Sequence, residues 1–176
     1  MRPSFPLTLA VCIAALVGCG PGGTLVDRST REGVLLVGNG AEPQNLDPHT
    51  VTGVPEHRIC SALFEGLVNL DPSTLEPVPG VAESWTVSDD KKTYTFTLRP
   101  DAMWSNGDPV TANDFAYSWR GILSPALASE YAYMLFCIKN ARALNEGTMT
   151  DFSQVGVEVV DDRMLRVTLE NPTAYF

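Results

Sequence analysis

The side chains with the widest chemical reach cluster early in the chain: His49, Glu56, His57 and Cys60. Imidazole, carboxylate and thiol are all metal-ligating groups, and His57 and Cys60, three positions apart, share a face if the segment is helical. The spacing matches neither a His-Glu-x-x-His helix nor paired Cys-x-x-Cys knuckles, and only two histidines are present, so no metal site is expected. No Gly-x-Ser-x-Gly elbow presents a serine nucleophile. Gly20-Pro21-Gly22-Gly23 is not followed by Gly-Lys-Ser/Thr, so it reads as a linker and not as a phosphate loop. The pattern points away from an enzyme, and no cofactor is expected. Of the four cysteines, Cys60 and Cys137 fall in segments with helical apolar neighbours. They read as two buried free thiols, although an oxidising compartment would permit a bridge.

The elements that must hold these residues follow from periodicity. Gly33 to Val37 is a continuous apolar run, the pattern of a strand buried on both faces. Ala41 to Pro55 is rich in turn residues. Pro55 suits the first turn of a helix, where no donor is needed, and Ile59, Leu63, Phe64 and Leu67 then recur at helical spacing. Asp71 to Gly80 carries three prolines and reads as a loop. Trp85-Thr86-Val87 and Tyr94 to Leu98 flank a polar turn and form a hairpin, with Tyr94, Phe96 and Leu98 on one face. Asn106-Gly107 is a turn pair. Thr111 and Asp114 are spaced as a capping box ahead of a helix lined by Phe115, Trp119 and Ile122. Ser129 to Asn145 reads as one or two further helices. Val155, Val157 and Val159 alternate, as do Leu165, Val167 and Leu169, around a turn at Asp161-Asp162-Arg163. Trp85, Phe96, Trp104, Phe115 and Trp119 are expected in the core or packed on turns. Glu83 and Asp108 are expected as turn or surface carboxylates.

The N-terminus sets the address. Arg2 precedes an apolar run, Leu7 to Val17, that is too short to span a bilayer and has the layout of a secretory signal. The run closes on Leu16-Val17-Gly18-Cys19, which resembles the lipobox of bacterial lipoproteins, where the cysteine becomes an acylated N-terminus. Residues 1–18 are thus expected as a lipoprotein signal peptide, and residues 19–32 as a flexible tether. Cys19 is the expected lipidation site, and two or more acyl chains anchor stably. The protein is expected to be exported and held to the bacterial cell envelope, facing the periplasm or the exterior. A net charge of −9 argues against a nucleic-acid partner.

A further resemblance covers the chain after residue 33. It rests on Asn45-Leu46-Asp47-Pro48-His49, Gly53-Val54-Pro55-Glu56, Leu63-Phe64-Glu65-Gly66-Leu67 and Pro79 to Trp85. Phe96-x-Leu98-Arg99, Trp104 to Ala112, Asp114-Phe115-x-Tyr117-Ser118-Trp119 and Pro172-x-x-Tyr175-Phe176 continue it. In order and spacing these resemble the extracytoplasmic solute-binding proteins of oligopeptide and dipeptide ABC importers, and Val54-Pro55-Glu56 and Tyr131-Ala132 are similar to the oligopeptide branch. The resemblance implies an α/β, type II periplasmic-binding-protein-like lobe, a mixed sheet with helices, and an incomplete second lobe. It implies that residues 33–52 and 155–176 belong to a first-lobe sheet and 53–154 to an inserted subdomain. It also implies a short peptide as ligand, held through its backbone, with a membrane permease and an ATPase as partners and a monomer at full length. The loop Thr52-Gly53-Val54 and the ring of Tyr131 are implied to line the ligand. At Thr52 the relatives carry a glutamate, so a charged contact from that position is lost. The groups that grip the peptide termini would lie in a second lobe outside this sequence. The alternatives are a truncated lipoprotein that transports nothing, or a binder of a dipeptide, a nickel complex or a sugar.

Overall fold

A computed structural model describes residues 23–176; the signal segment and Cys19 lie outside the described residues. The chain divides into two units between Asn39 and Gly40.

In the first unit a short helix, α1 (Leu25–Arg31), occupies part of the segment expected as a tether. Thr24 and Asp27 form a capping box: the Asp27 N–H donates to Thr24 Oγ1 at 3.2 Å, and Asp27 Oδ2 accepts from the Thr24 N–H at 2.7 Å. The helix closes on Gly33 at φ 69°, with Val34 N–H bonded to Ser29 O at 2.8 Å and Gly33 N–H to Thr30 O at 3.3 Å. This is a Schellman closure, in which glycine takes the left-handed position. Gly33 therefore ends a helix instead of opening a strand. Residues 33–38 carry no strand, and Leu35 is 85% exposed. An apolar run is a strand only when a partner completes its ladder, and the expectation of a buried strand there is corrected.

The second unit begins with the loop that precedes α2 (Val54–Leu63), which has Gly53 as N-cap and Pro55 in its first turn. Its one buried side chain is Glu56; Leu63 and Phe64 are exposed, while Ile59 is half-buried and Leu67, beyond the helix, packs against the core, so the apolar stripe read from the sequence is covered only in part. Two short strands follow, β1 (Val68–Leu70) and β2 (Pro77–Pro79), paired antiparallel. The second lies in the stretch expected as a loop. Proline is tolerated in a two-stranded ribbon because one edge needs no donor. Asp71 builds the turn between them, its Oδ1 accepting from the N–H groups of Ser73 and Thr74 at 2.9 Å each.

Strands β3 (Ala82–Val87) and β4 (Thr93–Leu98) form the expected first hairpin, and β5 (Val157–Asp161) and β6 (Met164–Thr168) the second. The hairpins join through their inner strands in the order β3-β4-β6-β5, with Phe96 opposite Leu165 and Tyr94 opposite Val167. The second hairpin thus pairs with the first. All pairings among the described residues are antiparallel; the parallel component of a mixed sheet is not seen among them.

Two more helices complete the unit, α3 (Ala112–Ile122) and α4 (Ala141–Asn145), with 3₁₀ turns at Ala132–Leu135 and Phe152–Gln154. Asp114 caps α3 by accepting from the Thr111 N–H at 2.7 Å and the Thr111 hydroxyl at 2.9 Å. Leu98, Leu123, Ile138, Leu165, Val167 and Leu169 are fully buried. Burying such side chains stabilises by about 1.5–3 kcal/mol each before chain entropy is subtracted. Trp85, Phe115 and Trp119 pack against this core, while Trp104 is 42% exposed beside the Asn106-Gly107 turn. Among the described residues, no helix is long and apolar enough to cross a membrane.

Candidate functional site

The loop from Gln44 to Gly53 is built from side chains that cap its own backbone. Asn45 Oδ1 accepts from the Asp47 N–H at 3.0 Å and from the Thr50 hydroxyl at 3.2 Å; Asp47 Oδ1 accepts from the His49 N–H at 2.9 Å. These are turns of the Asx type, which explains why this stretch avoids both helix and strand.

His49 ties the loop to the body of the unit. Its Nδ1 lies 2.9 Å from Asp47 Oδ1 and its Nε2 2.9 Å from Ser118 Oγ on α3. Because a carboxylate only accepts, Nδ1 of the neutral ring is the donor, and Nε2 accepts from the serine hydroxyl. The Ser129 hydroxyl donates to the His49 carbonyl at 2.6 Å, and the Tyr131 hydroxyl reaches the Thr52 carbonyl at 3.5 Å. Asp47, His49 and Ser118 have the order of contacts of a charge relay. Ser118, however, sits inside an α-helix, where neighbouring N–H groups are committed to carbonyls one turn back, so they do not form an oxyanion cradle. The contacts brace the loop.

A hollow of about 230 Å³ opens on this loop, and Gln44, Asn45, Thr50, Thr52, Gly53 and Glu56 are among the residues that line it. Thr52 and Gly53, both expected at a ligand, are at its wall. Val54 stands at the first position of α2, 63% exposed, and Tyr131 is 39% exposed with its ring 5.9 Å from that of Tyr133. Neither Val54 nor Tyr131 lines the hollow; Tyr131 is joined to it through Thr52.

Glu56 is nearly fully buried, 6% exposed, yet its Oε1 accepts the Gln44 N–H at 2.8 Å. That bond, with a contribution from its own backbone N–H, holds the carboxyl below the ordinary glutamate value. Burial works in the opposite direction and is the smaller effect. Asp47 is likewise held below the ordinary aspartate value, first by the His49 N–H and then by the His49 ring.

The four residues considered as metal ligands do not converge. His49 is engaged in the brace, Glu56 faces Gln44, the His57 ring lies beside the Ser61 hydroxyl, and the Cys60 thiol points to the Leu46 carbonyl. Cys60 and Cys137 are unpaired, half-buried thiols, and burial pushes the Cys137 thiol up. A second hollow of about 320 Å³ lies elsewhere in the unit, against Trp85, Tyr94, Phe96, Phe115, Trp119 and Phe176. It is the uncovered side of the aromatic core, with Phe176 set edge-on to Tyr94 at 4.9 Å. It presents apolar rings and few donors, whereas the first hollow is walled by a loop rich in polar groups.

Residues 76–176 match the family of bacterial extracellular solute-binding proteins, family 5, middle part. The chain belongs to this family. It is 43% identical over 171 residues to the periplasmic oligopeptide-binding protein OppA of Haemophilus influenzae, covering 96% of this chain and 31% of that protein. It is 45% identical over 168 residues to OppA of Escherichia coli K12, covering 94% and 29%. The crystal structure of Haemophilus influenzae OppA in complex with RPPGFSPFR superposes with a TM-score of 0.72 at 46% identity, covering 78% of this chain and 27% of that one. The family 5 chain therefore has the α/β fold of the periplasmic binding proteins, and it spans under a third of the length of these relatives. Both relatives are periplasmic oligopeptide-binding proteins.

Sequence reasoning missed Glu56, Ser118 and Ser129 as parts of this site. Glu56 carried a usable signal, a carboxylate three residues after a helix N-cap. Ser118 and Ser129 carried none, since each meets His49 only across the folded chain.

Proposed function

We propose that this chain is part of the substrate-binding component of an ABC importer that captures short peptides outside the cytoplasm for delivery to a permease and its ATPase. The observation that carries the reading is the 43% identity, across nearly the whole chain, to an oligopeptide-binding protein. A braced loop supports it, with the Thr52 carbonyl joined to the half-exposed Tyr131. Peptide backbones offer the same donors and acceptors whatever their side chains, so a main-chain edge held rigid suits broad peptide capture. Thr52, Gly53, Val54 and Tyr131 are assigned to that ligand-facing edge. Export and acylation at Cys19 belong to the same reading.

The test is calorimetric titration of the full-length protein carrying this segment with trialanine. Binding is expected, and Tyr131→Ala is expected to weaken it by about 1–2 kcal/mol, the scale of one aromatic contact. Unchanged affinity would remove Tyr131 from the site. Titration with taurocholate, a nickel complex and a disaccharide gives the rival outcomes; binding of one of these without trialanine would overturn the peptide reading.

A further inference from the structure

Gly53 sits at φ −91° and ψ 157°, extended backbone that any residue adopts. Nothing in its conformation demands glycine. What demands it is the space: a Cβ there would overlap Glu56 Oε2 and come within 3.0 Å of the carboxyl carbon. A carboxylate at the end of a side chain usually swings away from such a contact. This one is buried and already bound, because Oε1 accepts the Gln44 N–H at 2.8 Å. Its Oε2 has no hydrogen-bond partner among the described residues, so the contact with Gly53 is one of close packing. Moving the carboxylate would break the bond to Gln44. Glu56 thus lies between two stretches of the same loop wall, Gln44 on one side and Gly53 on the other.

We infer that Glu56 is a positioning residue which locks the ligand-facing loop, and that position 53 is glycine because of this carboxylate. The inference rests on the peptide-capture reading only in its consequence for affinity; the lock itself is a property of this chain. Thr52 and Val54 flank Gly53, so a shift of the loop by the width of a methyl group displaces the main-chain edge on both sides. The same shift pulls the Thr52 carbonyl from the Tyr131 hydroxyl, already at the 3.5 Å limit of a hydrogen bond. Glutamine can replace Glu56 in this role, since its amide oxygen accepts from Gln44 and its volume is nearly the same.

The experiment is a double-mutant cycle on Gly53→Ala and Glu56→Ala, with Glu56→Gln as the conservative variant. The first readout is hydrogen exchange of the Gln44 amide, residue by residue. Gly53→Ala and Glu56→Ala are each expected to speed it by about tenfold or more, through loss of its acceptor. Glu56→Gln is expected to keep the protection. In the Glu56→Ala background the alanine at 53 is expected to cost nothing further. The second readout is trialanine affinity of the full-length protein, expected to fall roughly tenfold in Gly53→Ala and to recover in Gly53→Ala/Glu56→Ala relative to additivity. Thermal midpoints are followed alongside, and Glu56→Gln with Gly53→Ala keep the test valid if Glu56→Ala fails to fold. Additive costs, or a Glu56→Gln variant as unprotected as Glu56→Ala, would overturn the lock. Coupled Gln44 exchange without trialanine binding by the wild type would uphold the lock and sink the peptide reading instead.

Discussion

Ser118 and His49 are 69 positions apart, yet their side chains decide whether the loop from Gln44 to Gly53 has a fixed shape. Replacing Ser118 by alanine removes the donor to His49 Nε2 and is expected to destabilise the protein by about 0.5–1.5 kcal/mol, read from urea denaturation. An unchanged midpoint would show the contact to be incidental. The loop also has a pH dependence of known sign. Asp47 and Glu56 are held below their ordinary values of 3.8 and 4.5. A depressed folded-state value means that the stability they contribute is complete above the ordinary value and is lost as pH falls through the lower, folded one. The Gln44 amide resonance, which reads Glu56 through its bond to Oε1, is therefore expected to titrate only below the ordinary glutamate value. In Glu56→Gln that titration is expected to vanish; its persistence would contradict the assignment.

At the scale of elements, the join between β4 and β6 carries the unit. Both strands are central in the sheet, and Leu165 is fully buried opposite Phe96. Leu165→Ala is expected to cost about 2–5 kcal/mol, a transfer loss plus a cavity. Val87, at the end of the edge strand β3 and 44% exposed, serves as the control. Val87→Ala is expected to stay within about 0.5 kcal/mol. Equal losses would mean that the sheet order does not describe where the stability resides. The cap on α3 is the second element-scale test. Asp114→Ala leaves the Thr111 N–H and hydroxyl without their acceptor and is expected to cost about 0.5–2 kcal/mol by thermal unfolding.

For the whole molecule, the full sequence carries a net charge of −9, and loss of residues 1–18 with Arg2 leaves −9 − 1 = −10 on the body that the reading holds at a membrane by acyl chains on Cys19. An acidic body is not drawn to an anionic lipid surface, so attachment depends on the lipid alone. Expressed in a lipoprotein-competent bacterium, the wild type is expected to partition into detergent and to carry acyl mass. Cys19→Ser is expected to do neither. Equal partitioning without acyl mass on the wild type would reject the anchor. The chain spans under a third of its relatives' length, which is why affinity measurements belong to a full-length protein.

What the residues alone determined was local. The β3–β4 and β5–β6 hairpins, the Asp161 turn, the Thr111–Asp114 cap and the buried face of Phe96, Leu98, Leu165, Val167 and Leu169 were legible, because alternation and capping are written in neighbouring positions. The family was legible for a related reason, since its motifs keep their order and spacing along the chain. Gly33 misled, because a glycine bounding an apolar run serves equally as the start of a strand or the left-handed end of a helix, and only the Val34-to-Ser29 bond chose. The pairing of the two hairpins, the contact of His49 with Ser118 and Ser129, and that of Thr52 with Tyr131 were decided by tertiary structure. Each joins residues with no local signal for one another, and each is selected by the burial of the common core that brings them together.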